Sequence, residues 1–149
     1  MNIGFYNNKG GVGKSTLSVH TAFRAMDKGI SVQFIDADPQ DNGIKWVTQD
    51  TWDGNDYVKM DNIVATKDLL AINNWDGINI IDCPPEYTFL EKLKENNIDL
   101  NILIIPVKSR FSLDGAMNVM AQIKYLKLKD IRLIFVVNMV DASNTDISK

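Results

Sequence analysis

The feature that most constrains the fold of this 149-residue chain is a glycine-rich segment near its start. It consists of Lys9, Gly10, Gly11, Val12, Gly13, Lys14, Ser15 and Thr16. An apolar run that predicts a strand precedes the segment, and a run that predicts a helix begins within it. Glycines let backbone N–H groups turn toward phosphate oxygens, and the start of a helix attracts the same anions. The segment therefore predicts a phosphate-binding loop, in which Lys14 reaches the terminal phosphates and the Ser15 hydroxyl is a ligand for Mg²⁺.

Strand and helix patterns alternate along the rest of the chain. The predicted strands cover residues 2–7, 31–36, 78–82, 100–107 and 131–138, with a further short strand near 57–60 in a polar loop. The predicted helices cover residues 14–28, 41–50 (a short helix or a turn), 66–73, 87–96 and 112–128. This alternation predicts an α/β domain with a mostly parallel central sheet and helices on both of its faces.

Two of the predicted helices carry detailed expectations. Thr66 is the expected N-cap of the helix over 66–73, because its hydroxyl can accept a bond from a free backbone N–H group. The helix over 112–128 is amphipathic. Its expected buried face consists of Leu113, Ala116, Met117, Met120 and Ile123.

Length and composition restrict the class of protein. A chain of 149 residues, 45% of them hydrophobic, predicts one globular domain over residues 1–149. No apolar run approaches the roughly 18 residues of a membrane-spanning helix, and the first residues lack the pattern of a secretory signal. We therefore expect a cytoplasmic protein without a membrane anchor. Cys83 is the only cysteine, which excludes an intrachain disulfide and favours a small buried apolar residue over a redox thiol or a cluster ligand.

Acidic residues follow two of the predicted strands. Asp36 and Asp38 belong to a D-A-D-P-Q segment at the end of the second strand, and Asp82 ends the strand that precedes two prolines. Ligands of open α/β sheets collect at the ends of the strands, so these carboxylates are expected beside the phosphate-binding loop. An Asp-Pro turn with solvated carboxylates is the alternative for Asp36 and Asp38.

The three segments together resemble the ParA/MinD family of P-loop ATPases. Asn8 stands where the usual G-x-x-x-x-G-K-[ST] pattern has its first glycine, and Lys9 is an additional lysine, as in the deviant Walker A motif of that family. The D-x-D-P-Q segment and the D-C-P-P segment after Asp82 resemble two further motifs of the family. Within it, small plasmid and chromosome partition proteins are the most similar.

The resemblance implies a role for each of these residues. Lys9 would contact phosphates held by a second subunit of an ATP-dependent homodimer, although an exposed loop lysine is the alternative. Asp38 would position or activate the attacking water, whereas Asp36 and Asp82 would lie near Mg²⁺, most often through water. Asn138 would read the nucleotide base, with a strand-terminal turn as the alternative.

The last third of the chain has the opposite charge from the rest. Residues 1–99 carry nine Lys/Arg against 15 Asp/Glu, whereas residues 100–149 carry seven against four. Four basic residues cluster late in the last predicted helix and after it: Lys124, Lys127, Lys129 and Arg132. Partition ATPases bind DNA without sequence preference through such faces, by contacts to phosphates. Solvated surface lysines are the alternative.

The resulting hypothesis is a partition ATPase that dimerises with ATP and Mg²⁺. Slow hydrolysis would control its affinity for DNA and for a ParB-like centromere-binding protein, with association to the nucleoid as one consequence. A MinD-like cell-division ATPase is one alternative, although the polar residues 141–149 do not predict its amphipathic membrane helix. The other is a shortened nucleotide-binding module that does not hydrolyse ATP, since family members usually continue beyond the point where this chain stops.

Overall fold

The computed structural model describes residues 1–9, 13–54, 57–60, 62–108 and 110–137. Its strands are β1 (Asn2–Phe5), β2 (Val32–Asp36), β3 (Tyr57–Met60), β4 (Ile63–Thr66), β5 (Ile78–Asp82), β6 (Ile102–Val107) and β7 (Arg132–Val137). Its helices are α1 (Lys14–Asp27), α2 (Asn42–Val47), α3 (Phe89–Glu95) and α4 (Arg110–Tyr125), with a 3₁₀ helix at Leu69–Asn74. The predicted alternation of strands and helices is confirmed.

The described strands form one sheet in the order β3-β4-β2-β5-β1-β6-β7. All neighbouring pairs are parallel except β3 and β4, which are antiparallel. Sheets of parallel strands are usually covered by other elements on both faces. The mostly parallel α/β sheet expected from the sequence is therefore confirmed.

The two faces of the sheet carry separate hydrophobic cores. Phe5 and Ile80 lie in the core that α1 and α2 cover, whereas the next residues, Tyr6 and Ile81, lie in the core that α3 and α4 cover. This exchange between consecutive residues follows from the two-residue period of a strand. Helices thus pack on both faces, as predicted.

A crevice lies at the carboxyl ends of β1 and β5, because the chain leaves these two strands in different directions. After β1 the chain enters α1 on one face, whereas after β5 it enters α3 on the opposite face. β1 and β5 are hydrogen-bonded neighbours, so the two connections start from adjacent carboxyl ends. They leave toward opposite faces of the sheet, and the crevice lies between them. Such a point is the usual ligand site of open α/β sheets.

The helix predicted over residues 66–73 is wrong in its first part. Thr66 is the buried last residue of β4, a four-residue strand, Ile63-Val64-Ala65-Thr66, that the pattern did not reveal. A 3₁₀ helix follows, and Asp68 rather than Thr66 caps it by accepting a bond from Leu70 N at 3.0 Å. Three of the four residues of β4 are β-branched, which favours a strand. The run is too short for its period to be visible.

The predicted buried face of α4 is also partly wrong. Leu113, Met117 and Met120 are exposed, and the helix turns smaller residues, Ala116 and Val119, toward the core. Gly115 explains this rotation, because any Cβ atom there would collide with Asn7 Oδ1 and Asn8 Oδ1 at the start of the phosphate-binding loop. Because α4 lies close to the loop, it needs small residues on its inner side. Its large apolar residues therefore lie on the exposed side of the helix.

None of the helices in the described part of the chain is long and apolar enough to cross a membrane.

Candidate functional site

Lys14 is a buried lysine at the start of α1. Gly13 precedes it with φ 93°, in the left-handed region that favours glycine, and this turn brings the chain from the loop into the helix. The Lys14 side chain is 5% exposed, and its Nζ donates to the backbone oxygen of Lys9 at 3.0 Å. Burial lowers the pKa of Lys14, because a charged ammonium group is less stable away from water. An anion at the loop would offset that cost.

Gly10, Gly11 and Val12 lie outside the described residues, so their predicted contacts with phosphate stay predictions.

Asp82 ends β5 and meets the loop through Ser15. Ser15 Oγ donates to Asp82 Oδ2 at 2.7 Å, whereas Asp82 Oδ1 is buried and has no hydrogen-bond partner among the described residues. Burial raises the pKa of Asp82 to about 7, and the bond from Ser15 opposes this change. A buried carboxylate oxygen without a donor is costly in the free protein, so the arrangement suits a water molecule or a hydrated cation.

Asp36 ends the neighbouring strand, in register with Asp82. Its Oδ1 accepts from Asp38 N at 3.0 Å and its Oδ2 accepts from Ile44 N at 2.8 Å. The side chain is fully buried, and burial raises its pKa although both bonds stabilise the charged form. Asp36 therefore ties the end of β2 to the first turn of α2. The sequence placed Asp36 correctly at the strand end but did not reveal these two bonds.

Asp38 lies two residues further on and is half-buried. Its Oδ1 accepts from Gln40 N at 2.9 Å, which closes a tight turn around Pro39. The backbone oxygen of Asp38 accepts from Lys67 Nζ at 2.9 Å. Lys67 was missed by the sequence reasoning, because it follows β4, the strand that the pattern did not reveal. A lysine directly after a β-branched run is the signal that could have placed it at this edge.

An open cavity of about 420 Å³ lies between the loop, the turn after β2 and the segment after β5. Its lining consists of Gly13, Lys14, Ser15, Thr16, Asp38, Pro39, Gln40, Asn42, Pro84, Pro85 and Glu86. The structure thus brings the loop, Asp38 and the proline pair together at the crevice. Asp36 and Asp82 are buried next to this lining and are not part of it.

Lys9 has an exposed side chain at the entrance to the loop. Its backbone N donates to Asn7 Oδ1 at 3.1 Å, and Asn7 Nδ2 donates to the backbone oxygens of Pro106 and Ser112. The loop is thereby fixed to the end of β6 and the start of α4.

The four basic residues of the cluster are all exposed, but they lie toward the amino ends of the strands. Lys124 is in the last turn of α4, and Arg132 begins β7, where it is in register with Ile102 at the start of β6. The cavity lies instead at the carboxyl ends of the strands. Contact of this cluster with DNA stays a prediction. Asn138 lies outside the described residues.

The chain has a glycine-rich loop between a strand and a helix, lysine and serine at the helix start, and an aspartate at a nearby strand end. These features define a nucleotide-binding fold of the P-loop class. More particularly, the chain belongs to the family described as the CobQ/CobB/MinD/ParA nucleotide binding domain, which matches residues 3–148. The resemblance to ParA and MinD proteins is confirmed. A comparison with curated protein sequences returns no match.

Solved structures of low sequence identity share the fold. A plasmid partition protein from Borrelia burgdorferi has a TM-score of 0.72 at 16% identity, over 99% of this chain and 82% of that one. The MinD cell division protein of Aquifex aeolicus has a TM-score of 0.66 at 18% identity, over 99% and 72%. Cobyrinic acid a,c-diamide synthase from Mycobacterium smegmatis, with bound ATP analogue and magnesium, has a TM-score of 0.64 at 18% identity, over 89% and 69%.

Proposed function

We propose that this chain is an ATPase of the partition type, which binds ATP with Mg²⁺, dimerises and hydrolyses the nucleotide slowly. The observation that carries the proposal is the bond from Ser15 Oγ to Asp82 Oδ2, beside an Asp82 Oδ1 that has no partner within the described ranges. The fold relatives agree with this assignment, since a synthase with ATP analogue and magnesium and a plasmid partition protein are among them.

The residues at this site fit a hydrated Mg²⁺ ion. No group of three or more His, Cys, Asp or Glu among the described residues could hold a metal by itself. Mg²⁺, however, keeps several waters and is often held by one or two protein groups together with phosphates. The Ser15 hydroxyl would be a direct ligand, and Asp82 Oδ1 would hold a metal-bound water. Asp36, adjacent to Asp82, would contribute charge through the same water shell.

Two catalytic roles fall to residues that line the cavity, Lys14 and Asp38. Lys14 Nζ would leave the backbone oxygen of Lys9 for the β- and γ-phosphate oxygens. Asp38, on the cavity wall, would orient the attacking water. When bound, Mg²⁺ supplies positive charge to the phosphate oxygens.

Lys9 and Asn138 would complete the site by resemblance to the family. The exposed Lys9 would reach the phosphates of a second copy of the chain and stabilise charge there, as an arginine finger does. Asn138 would bind the nucleotide base. ATP-dependent dimerisation would then control contact with a ParB-like protein and, through the basic cluster of Lys124, Lys127, Lys129 and Arg132, with DNA.

The experiment is an ATPase assay with Mg²⁺, with and without DNA, on the wild type and two variants. Lys14→Ala should abolish binding of a fluorescent ATP analogue, because no other described ammonium group lines the cavity. Asp38→Ala should retain analogue binding and dimerisation while turnover falls by a factor of about 10² or more. Normal hydrolysis by the Asp38 variant would contradict the mechanism, and absence of turnover in the wild type would favour a binding module. Association with acidic vesicles would instead favour a MinD-like protein.

A further inference from the structure

Lys67 makes several polar contacts next to the cavity but has no role in the proposed mechanism. It follows β4 directly, and its side chain is only 24% exposed. Its Nζ donates to the backbone oxygens of Asp36 at 3.1 Å and Asp38 at 2.9 Å, and it forms an ion pair with Asp41. The Asp36 carboxylate is 3.9 Å away. Lys67 does not line the cavity, so it would not touch a nucleotide there.

The contacts of Lys67 suit an ammonium group, which donates hydrogen bonds and accepts none. Its Nζ donates to the backbone oxygens of Asp36 and Asp38, and the Asp41 carboxylate lies against it as an ion pair. Those oxygens belong to one segment, which leaves β2 and enters α2. The side chain therefore fixes the path of the segment at three points, as a metal ion would in other loops.

The segment has strained backbone that needs such support. Asp41 has φ 61°, in the left-handed region, directly before α2 begins. A non-glycine residue in that region is strained and persists when its surroundings hold it. Asp38, which is placed on the cavity wall, lies between the two ends of this held segment. Lys67 therefore contacts the segment on both sides of Asp38 and at the Asp38 backbone oxygen itself.

The charges around Lys67 also support a role in holding this segment. Asp36, Asp38 and Asp41 are three carboxylates within six residues, and Asp82 lies next to Asp36. Lys67 is the basic side chain that forms ion pairs with this group among the described residues. Without it, repulsion between the carboxylates would move the half-buried ones, Asp38 and Asp41, rather than the fully buried Asp36.

We propose that Lys67 is the positioning residue of the hydrolytic step: it holds the backbone from residue 36 to 41 so that the Asp38 carboxylate faces the cavity. The inference rests on the proposed function for its kinetic part, because it assigns Lys67 a role through Asp38. It concerns rate rather than nucleotide affinity. A displacement of about 1 Å in a water-orienting group costs on the order of 10²-fold in rate.

The first test compares Lys67→Met with Lys92→Met, a control at an exposed lysine of α3. Lys67→Met keeps the length of the side chain and removes the three donors. Its kcat should fall about 10- to 100-fold while the Kd for a fluorescent ATP analogue with Mg²⁺ changes less than about threefold. The control should retain both values. An unchanged kcat, or equal losses in kcat and analogue affinity, would overturn the proposal.

A double-mutant cycle with Asp38→Ala separates positioning from general damage. If Lys67 acts through Asp38, then Lys67→Met should add less than about twofold to the loss already caused by Asp38→Ala. Multiplying effects would show that Lys67 acts elsewhere, and the proposal would be wrong. Lys67→Arg should keep part of the rate, because a planar guanidinium retains the charge but not the three-point geometry.

Hydrogen exchange in the nucleotide-free protein tests the holding role even if the wild type has no ATPase activity. The amides of Asp38, Asp41 and Ile44, which donate within this segment, should lose protection in Lys67→Met and not in Lys92→Met. Unchanged protection would overturn the proposal whatever the kinetics show. Lost protection in a protein without turnover would contradict the proposed function and leave the holding role of Lys67 supported.

Discussion

Asp36 and Asp82 are neighbouring buried carboxylates with different surroundings. They are in register at the ends of β2 and β5, and burial raises the pKa of both. Both oxygens of Asp36 accept bonds from backbone N–H groups, whereas Asp82 accepts one bond from Ser15, and its other oxygen has no donor in the described part of the chain. A carboxylate that is fully bonded to its own backbone organises structure. One that is left unpaired in the free protein is available for a ligand.

Removing the Asp36 carboxylate should give the largest loss of stability. Asp36→Ala leaves the N–H groups of Asp38 and Ile44 without acceptors, and each unsatisfied buried donor costs about 1–3 kcal/mol. We expect the free energy of unfolding to fall by about 2–4 kcal/mol in urea titrations. Asp36→Asn is the matched control, since its single amide oxygen should restore about half of the loss. Equal stability of Asp36→Ala and the wild type would remove the contrast between the two carboxylates.

The corresponding change at Asp82 should have the opposite sign. Asp82→Asn removes a buried charge that lacks a full set of donors, so the free energy of unfolding at pH 8 should rise by about 1–2 kcal/mol. For a chain of this length that corresponds to a rise in Tm of about 2–8 °C. The same variant should bind a Mg²⁺–nucleotide analogue at least about tenfold more weakly. A destabilised Asp82→Asn protein would show that Asp82, like Asp36, is a structural residue.

The sequence predicted the two carboxylates and the loop for a simple physical reason. An apolar run that stops at an aspartate indicates both the strand and its end, and the parallel sheet then gathers such ends beside the glycine-rich loop. Lys14, Ser15, Asp38 and Asp82 could be placed in this way. Their positions depend on local pattern and on one topological rule.

The features that the sequence did not reveal depend on contacts between distant segments. The packing of the elements determines three such features: the bond from Ile44 N to Asp36, the three contacts of Lys67, and the side of α4 that faces inward. Gly115 shows the difficulty: its neighbour in space is Asn7, 108 positions earlier in the chain. A periodic pattern ranks residues by hydrophobicity, so it selected Met117 and Met120, although the close approach of the loop requires small residues.

The difference in stability between the wild type and Asp82→Asn should also depend on pH, because the substitution removes the titrating group Asp82. Its pKa is about 7 in the folded chain and lies near the ordinary value of 3.8 in the unfolded chain, so between these values the folded state binds more protons. The contribution of Asp82 to stability is therefore greatest below about pH 4 and is lost as the pH rises toward 7. The advantage of Asp82→Asn over the wild type should accordingly be small at pH 5 and grow up to about pH 8, where it levels off.

Urea titrations of both proteins at pH 5, 6, 7 and 8 measure this difference directly, and Asp99→Asn, at an exposed aspartate, serves as the control with a flat difference. A saturating Mg²⁺–nucleotide analogue should flatten the profile of the wild type, because a carboxylate that holds a metal-bound water stays charged. An advantage for Asp82→Asn that is constant with pH would mean that Asp82 is already ionised in the free protein. Its unpaired oxygen would then be satisfied by water, and the two carboxylates would differ in partner but not in charge.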